Sequence, residues 1–268
     1  MKAEEKKLLY TFFKTSTDYF CGYTTQEQIP VFTDLEEHSA VSAKAAAPLQ
    51  RTLSDGRFES GEYAAAARNG GALAGEELQK LYEEIRTCTG CRLCSQRKNA
   101  VPGEGPAQFS AFDAEIDVMV IGEGPGADED VQGRPFVGKA GQLLDKMLSA
   151  IGLFRTKNCY ITNVVKCRPP NNRDPEPDES AACRRFLEAQ IRLIRPKAVL
   201  AVGRIAMQNL LGTGEGITKL HGRFLEYGGI PFMATYHPSA LLRNVNLKRP
   251  AWEDLKLFRA RLAELKNN

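Results

Sequence analysis

A chain of 268 residues, 43% hydrophobic and 26% charged, has the composition of an ordinary folded protein. It has room for one large α/β domain with an appendage, or for two small domains. No apolar run approaches the ~20 residues of a membrane-spanning helix, and the acidic pair in MKAEEKKLLYTFF argues against a secretory signal, so a cytoplasmic protein with no membrane association is expected. The formal net charge of +3 divides into −2 over residues 1–75 and +5 over the remainder, a modestly basic body that permits phosphate contacts without requiring them.

The first 20 residues have the pattern of a short amphipathic helix. Residues 38–75, with HSAVSAKAAAPL and GEYAAAARNGGALAG, hold few large apolar side chains and read as a flexible linker. An N-terminal extension over 1–75 and a folded domain over 76–268 are therefore expected. EELQKLYEEIR is a helix that ends at a cysteine cluster. IDVMVIG (116–122) is a buried strand that runs into a Gly-rich loop, followed by a helix in KAGQLLDKMLSAIG. CYITNVVK (159–166) is a second strand, RPPNNRDPEPD a polar loop, and 178–194 a helix. KAVLAVG (197–203) is a third strand, IAMQNLLG a short helix, IPFMATYHP a fourth strand and PAWEDLKLFRARLAEL a closing helix. This alternation predicts a three-layer αβα fold around a mainly parallel, four-stranded central sheet. Ligands in such folds sit beyond the carboxyl ends of the strands, where Gly122-Glu123-Gly124, Asn163 and His237 all lie.

The Gly-rich loop Gly122-Glu-Gly-Pro-Gly126 lacks the Lys-Ser/Thr of a P-loop and the spacing of a dinucleotide fingerprint. It carries carboxylates at Glu123, Glu129 and Asp130 and leads to Phe136. The seven cysteines are 21, 88, 91, 94, 159, 167 and 183. Clustered cysteines in a cytosolic chain suggest metal binding or redox chemistry before disulfides. Four thiolates can hold a [4Fe–4S] cluster or a structural zinc, and spacing alone leaves both open, with Cys91/Cys94 as a further local pair.

Taken together, strand–GEGPG–x–x–ED–x–x–GRPFVGxAGxLL, YITNVVKCRPPxNRxP (160–175) and HPSALLRN (237–244) resemble the motifs of the family 4, iron–sulfur uracil-DNA glycosylases of bacteria and archaea. The resemblance covers roughly residues 76–268. It implies a monofunctional, monomeric enzyme that flips uracil from single- or double-stranded DNA, hydrolyses the N-glycosidic bond and leaves an abasic site for base excision repair. It also implies a 4Fe–4S cluster on Cys88, Cys91, Cys167 and Cys183, with Cys94 outside the ligand set. Cys159 and Cys21 read as small buried or incidental residues.

The same resemblance assigns the pocket. Gly122 and Gly124 line it, Phe136 stacks on the base, and Asn163 reads it. A primary amide accepts from uracil N3–H and donates to O4, whereas cytosine presents the opposite pattern. His237 donates to O2 of the departing base. Leu241 and Leu242 enter the DNA and Arg243 grips phosphate. Gly124 occupies the place where the family 1 pattern GQDPYH has its water-orienting Asp, so Glu123 and Glu129 are equal candidates for that task. Gln28-Ile-Pro-Val-Phe32 resembles peptides that dock on the bacterial sliding clamp. Rival readings are less well supplied. Trapping relatives carry a basic loop ending in His, and residues 166–178 contain none; a nuclease would need a carboxylate set and a Lys in a nuclease arrangement.

Overall fold

The structure, a computed structural model, describes residues 71–106 and 116–267, all within the unit Ser60–Asn268. The expected N-terminal helix, most of the Ala/Gly-rich linker, Cys21 and Gln28–Phe32 lie outside the described residues. Helix α1 spans Gly71–Thr87 and is followed by a 3₁₀ turn at Arg92–Ser95. Strand β1 is Val118–Gly122, α2 is Ala127–Gln132 and α3 is Lys139–Ser149. Strand β2 is Cys159–Asn163, α4 is Pro177–Ile194, β3 is Ala198–Val202 and α5 is Arg204–Leu211. The short α6, Ile217–Leu220, precedes β4 at Phe224–Tyr227 and β5 at Ile230–Thr235. Helix α7, Pro238–Arg243, and α8, Lys248–Asn267, close the domain.

Local chemistry sets several of these boundaries. Helix α4 opens with Pro177 in its first turn, where a missing N–H costs nothing, and Glu179 accepts the backbone N–H of Glu176 at 2.8 Å. Helix α5 ends at Gly212 with φ +61°, a left-handed cap that relieves the last turn.

Among the described residues the sheet has five strands in the order β2-β1-β3-β5-β4, with only the β4–β5 pair antiparallel. The fifth strand is the difference from the expected four. β4 is an edge strand whose residues alternate between exposed and half-buried, so it has no continuous apolar run. The central strands do: every residue of β1, β2 and β3 is buried. Met119 and Ile121 join Leu78 and Ile85 of α1, Phe186 and Ile191 of α4 and Met207 of α5 in one core. The alternate residues Val118 and Val120 are equally buried, so both faces of the sheet are covered. Among the described residues, no helix is long and apolar enough to cross a membrane.

The register fixes where the site can form. Gly122 at the end of β1 pairs with Asn163 at the end of β2. Val202 at the end of β3 pairs with Thr235 at the end of β5, two residues before His237. Four carboxyl ends thus sit side by side.

Candidate active site

Asn163, Phe136 and Gly122 meet at the tips of β1 and β2. A Cβ built on Gly122 would lie 2.4 Å from Phe136 Cζ and 2.5 Å from Asn163 Oδ1. Only a residue without a side chain lets ring and amide approach there. Asn163 is 1% exposed, and its Oδ1 has no hydrogen-bond partner among the described residues. A buried acceptor without a partner costs about 1–3 kcal/mol, so an oxygen held this way is suited to a ligand that brings its own donor. Phe136 is buried and has φ +52°, a left-handed conformation that costs a non-glycine residue about 1–3 kcal/mol. Its ring centroid lies 5.7 Å from that of His237, tilted by 36°.

His237 caps α7. Its Nδ1 accepts the backbone N–H of Ser239 at 3.1 Å, and the Ser239 hydroxyl lies 2.8 Å from the same nitrogen. An imidazole accepting at Nδ1 carries its hydrogen at Nε2, leaving that N–H to donate elsewhere. Burial, aided by the nearby positive charge of Arg243, pushes its pKa down to about 4, so the ring is neutral at physiological pH. Gly203, with φ +100°, makes room for it, since a Cβ there would lie 2.9 Å from His237 Cβ.

The carboxylates are not equivalent. Glu129 Oε1 accepts the backbone N–H groups of Val137 and Gly138 at 2.8 and 2.9 Å, and Oε2 accepts that of Gly126 at 3.1 Å. Both oxygens are committed to tying the Gly-rich loop to the start of α3. Asp130 likewise accepts from the backbone of Lys98 and Asn99. The Glu123 main chain accepts the backbone N–H of Val165, but its carboxylate makes no hydrogen bond with a described residue. Burial first, then the negative charge of Asp174, pushes its pKa up to about 7, with Arg204 opposing. Gly124 has no room for a carboxylate of its own: a Cβ there would lie 2.8 Å from Val165 Cγ2.

The α7 segment requires one correction. Leu241 is 0% exposed and packs into the core, so it cannot reach DNA from this position. Helical spacing puts its side chain inward, while Leu242 is half-buried and Arg243 exposed.

Cys88, Cys91, Cys94, Cys167 and Cys183 line one cavity with Ile85, Gly90, Arg97, Lys166 and Phe186. Cys88 and Cys91 come from the end of α1 and the turn after it, Cys167 from the chain leaving β2 and Cys183 from α4. Among the described residues these thiols are free of disulfides, and no three His, Cys, Asp or Glu side chains are grouped so as to hold a metal ion. Burial pushes the Cys167 thiol up to about 11, against the pull of Arg97, whose guanidinium donates to its Sγ at 3.0 Å. Metal ligation needs the deprotonated thiolate, the form that the Arg97 guanidinium favours at Cys167. Cys159 is buried in β2, away from this cavity's lining.

Lys166 was not singled out from the sequence. It is 1% exposed and its ammonium donates to Thr162 Oγ1, to the Asn163 carbonyl and to Gln190 Oε1, each at 2.7 Å. It therefore stands between the cysteine cavity and the backbone of Asn163. Nothing in NVVKC distinguishes a buried lysine from a solvated one.

The family model for the Uracil DNA glycosylase superfamily matches residues 109–256. A type-4 uracil-DNA glycosylase of Sulfurisphaera tokodaii is 44% identical over 193 residues, covering 69% of this chain and 84% of the relative. One from Thermotoga maritima is 44% identical over 186 residues, covering 68% and 93%. A type-5 uracil-DNA glycosylase of Thermus thermophilus is more distant, 33% identical over 188 residues and covering 58% and 85%. The fold, the residues gathered at the strand ends and these relatives agree, and the chain belongs to the type-4 uracil-DNA glycosylases of the uracil DNA glycosylase superfamily.

Proposed function

We propose that the protein removes uracil from DNA by hydrolysing its N-glycosidic bond, the first step of base excision repair. The observation that carries this is the buried, unpartnered Oδ1 of Asn163 between Phe136 and Gly122. A flipped uracil stacks on Phe136 and gives its N3–H to Asn163 Oδ1. Cytosine brings an unprotonated N3 to the same oxygen and leaves it unpaired, which rejects it.

Cleavage breaks the C1′–N1 bond, and its electron pair leaves with the base. The neutral Nε2–H of His237 donates to uracil O2, where the negative charge develops. Glu123 orients a water and takes its proton as the water oxygen bonds to C1′. Glu129 holds the loop that presents Glu123. Leu242 and Arg243 lie on the segment that meets the DNA.

The same reading places a 4Fe–4S cluster on Cys88, Cys91, Cys167 and Cys183. The shared cavity and the Arg97 donor on Cys167 support it. When bound, the cluster supplies a cross-link between α1, the exit of β2 and α4, and no step of the hydrolysis. Cys94 faces the same cavity.

The test is uracil release from a U-containing oligonucleotide without magnesium, run beside an iron and acid-labile sulfide count. Inactivity of cluster-loaded protein would sink the reading. In Asn163→Asp, a protonated carboxyl can donate to cytosine N3, so cytosine release is expected to rise relative to uracil. An unchanged preference would show that Asn163 does not read the base.

A further inference from the structure

Phe136 holds a conformation that its own chemistry disfavours, and something must impose it. Part of the answer is steric. A Cβ on Gly141 would lie 1.9 Å from the Phe136 carbonyl oxygen, so the first turn of α3 runs hard against that peptide. The rest is Arg155, on the loop between α3 and β2. Its Nη2 donates to the Phe136 carbonyl at 2.9 Å and its Nη1 to the Pro135 carbonyl at 3.0 Å.

Arg155 is itself immobilised. Nε and Nη2 both donate to Asp145 Oδ1, at 3.0 and 2.7 Å, and Nη1 also donates to Glu104 Oε2 at 3.0 Å. A guanidinium has five N–H hydrogens, and these five bonds use all of them. The side chain is 12% exposed. Glu104 is fixed in turn by Arg134 at 2.6 Å and by backbone bonds with Ile161 of β2. Exposed ion pairs are worth little because water competes and long side chains wander. A fully coordinated, nearly buried guanidinium joining two carboxylates and two main-chain carbonyls is a different object. Lysine cannot replace it, having three donors at one point in place of a planar fork.

We propose that Arg155 is the positioning residue for the base platform: it holds the Pro135–Phe136 peptides so that the Phe136 ring lies across Gly122 and facing His237. This rests on the reading of Phe136 as the surface on which uracil stacks. Arg155 touches neither base nor sugar, and its effect passes through Phe136 alone.

The experiment is a double-mutant cycle on cluster-loaded protein with a single-stranded uracil oligonucleotide. It compares the unaltered chain, Arg155→Lys, Phe136→Ala and the pair. Arg155→Lys is expected to raise KM and to weaken inhibition by free uracil about tenfold, within the range of coupling between residues in contact, with a smaller effect on kcat. In the Phe136→Ala background the same substitution is expected to change neither. A general loss of structure would instead lower kcat and add to the Phe136→Ala effect. Should Arg155→Lys not yield folded protein, Asp145→Asn at its half-exposed site carries the same cycle. An unaltered chain that releases no uracil overturns the reading of the pocket and this proposal with it. An active chain whose Arg155→Lys form keeps its KM and uracil inhibition, or whose two effects add in full, overturns this proposal alone.

Discussion

Replacing His237 with Ala is expected to lower kcat by about 10²–10³, the usual cost of removing one donor aimed at developing negative charge. KM should change little, because uracil O2 in the ground state asks far less of the donor than the departing anion does. The size follows from the setting. The ring is nearly buried, its Nδ1 is held by the Ser239 backbone, and its hydrogen is thereby fixed at Nε2. No reorganisation is needed when the bond breaks. Because the pKa lies near 4, the donor is a neutral imidazole, and its contribution should be flat across the neutral range. Single-turnover rates of His237→Ala on a uracil oligonucleotide check this, and an unchanged rate would remove His237 from the mechanism. The same shift bears on folding. A histidine whose folded pKa lies below its unfolded 6.5 contributes stability that is lost as pH falls from about 6.5 through 4, since only the unfolded chain takes up the proton in that window.

The sheet was legible because its central strands are buried on both faces and therefore read as short apolar runs. β4 was not, since Phe224-Leu225-Glu226-Tyr227 is an edge strand. Yet a signal existed: Gly228 and Gly229, with φ +56° and +82°, form the two-residue turn between Tyr227 and Ile230, and a Gly-Gly pair between short β-prone runs marks such a hairpin. Asn163, Phe136 and His237 were legible as neighbours because two strand ends and one loop carry them. What each can do was not. The tautomer of His237 depends on a capping bond, and the separation of Glu123 from Glu129 depends on which backbone N–H groups a folded loop aims at which oxygen. Leu241 was misplaced because a motif gives spacing, while the inward face of α7 is decided by what α7 packs against. Lys166 and Arg155 were invisible for a similar reason. Their weight comes from burial and from full sets of acceptors drawn from distant segments.

The carboxylate is where the structure alters the chemistry most. Glu123→Gln is expected to lower kcat/KM by about 10²–10⁴, the usual contribution of a positioned base. In the unaltered enzyme kcat/KM should fall as pH drops below about 7, because burial and the charge of Asp174 hold the proton on Glu123 up to that pH. The variant should lose that limb along with most of its rate. Stability should move the other way. A carboxyl whose folded pKa lies above its unfolded 4.5 binds protons more tightly when folded, so stability declines as pH rises from about 4.5 to 7. The amide carries no such penalty, and Glu123→Gln should therefore melt higher than the unaltered protein at pH 8 while matching it near pH 4. A residue that merely organises the loop would lose stability on substitution at either pH. Glu129→Gln is the comparison, because its three backbone bonds predict that kind of loss. If Glu123→Gln kept both the rate and the acid limb, the water would have to be oriented by another group.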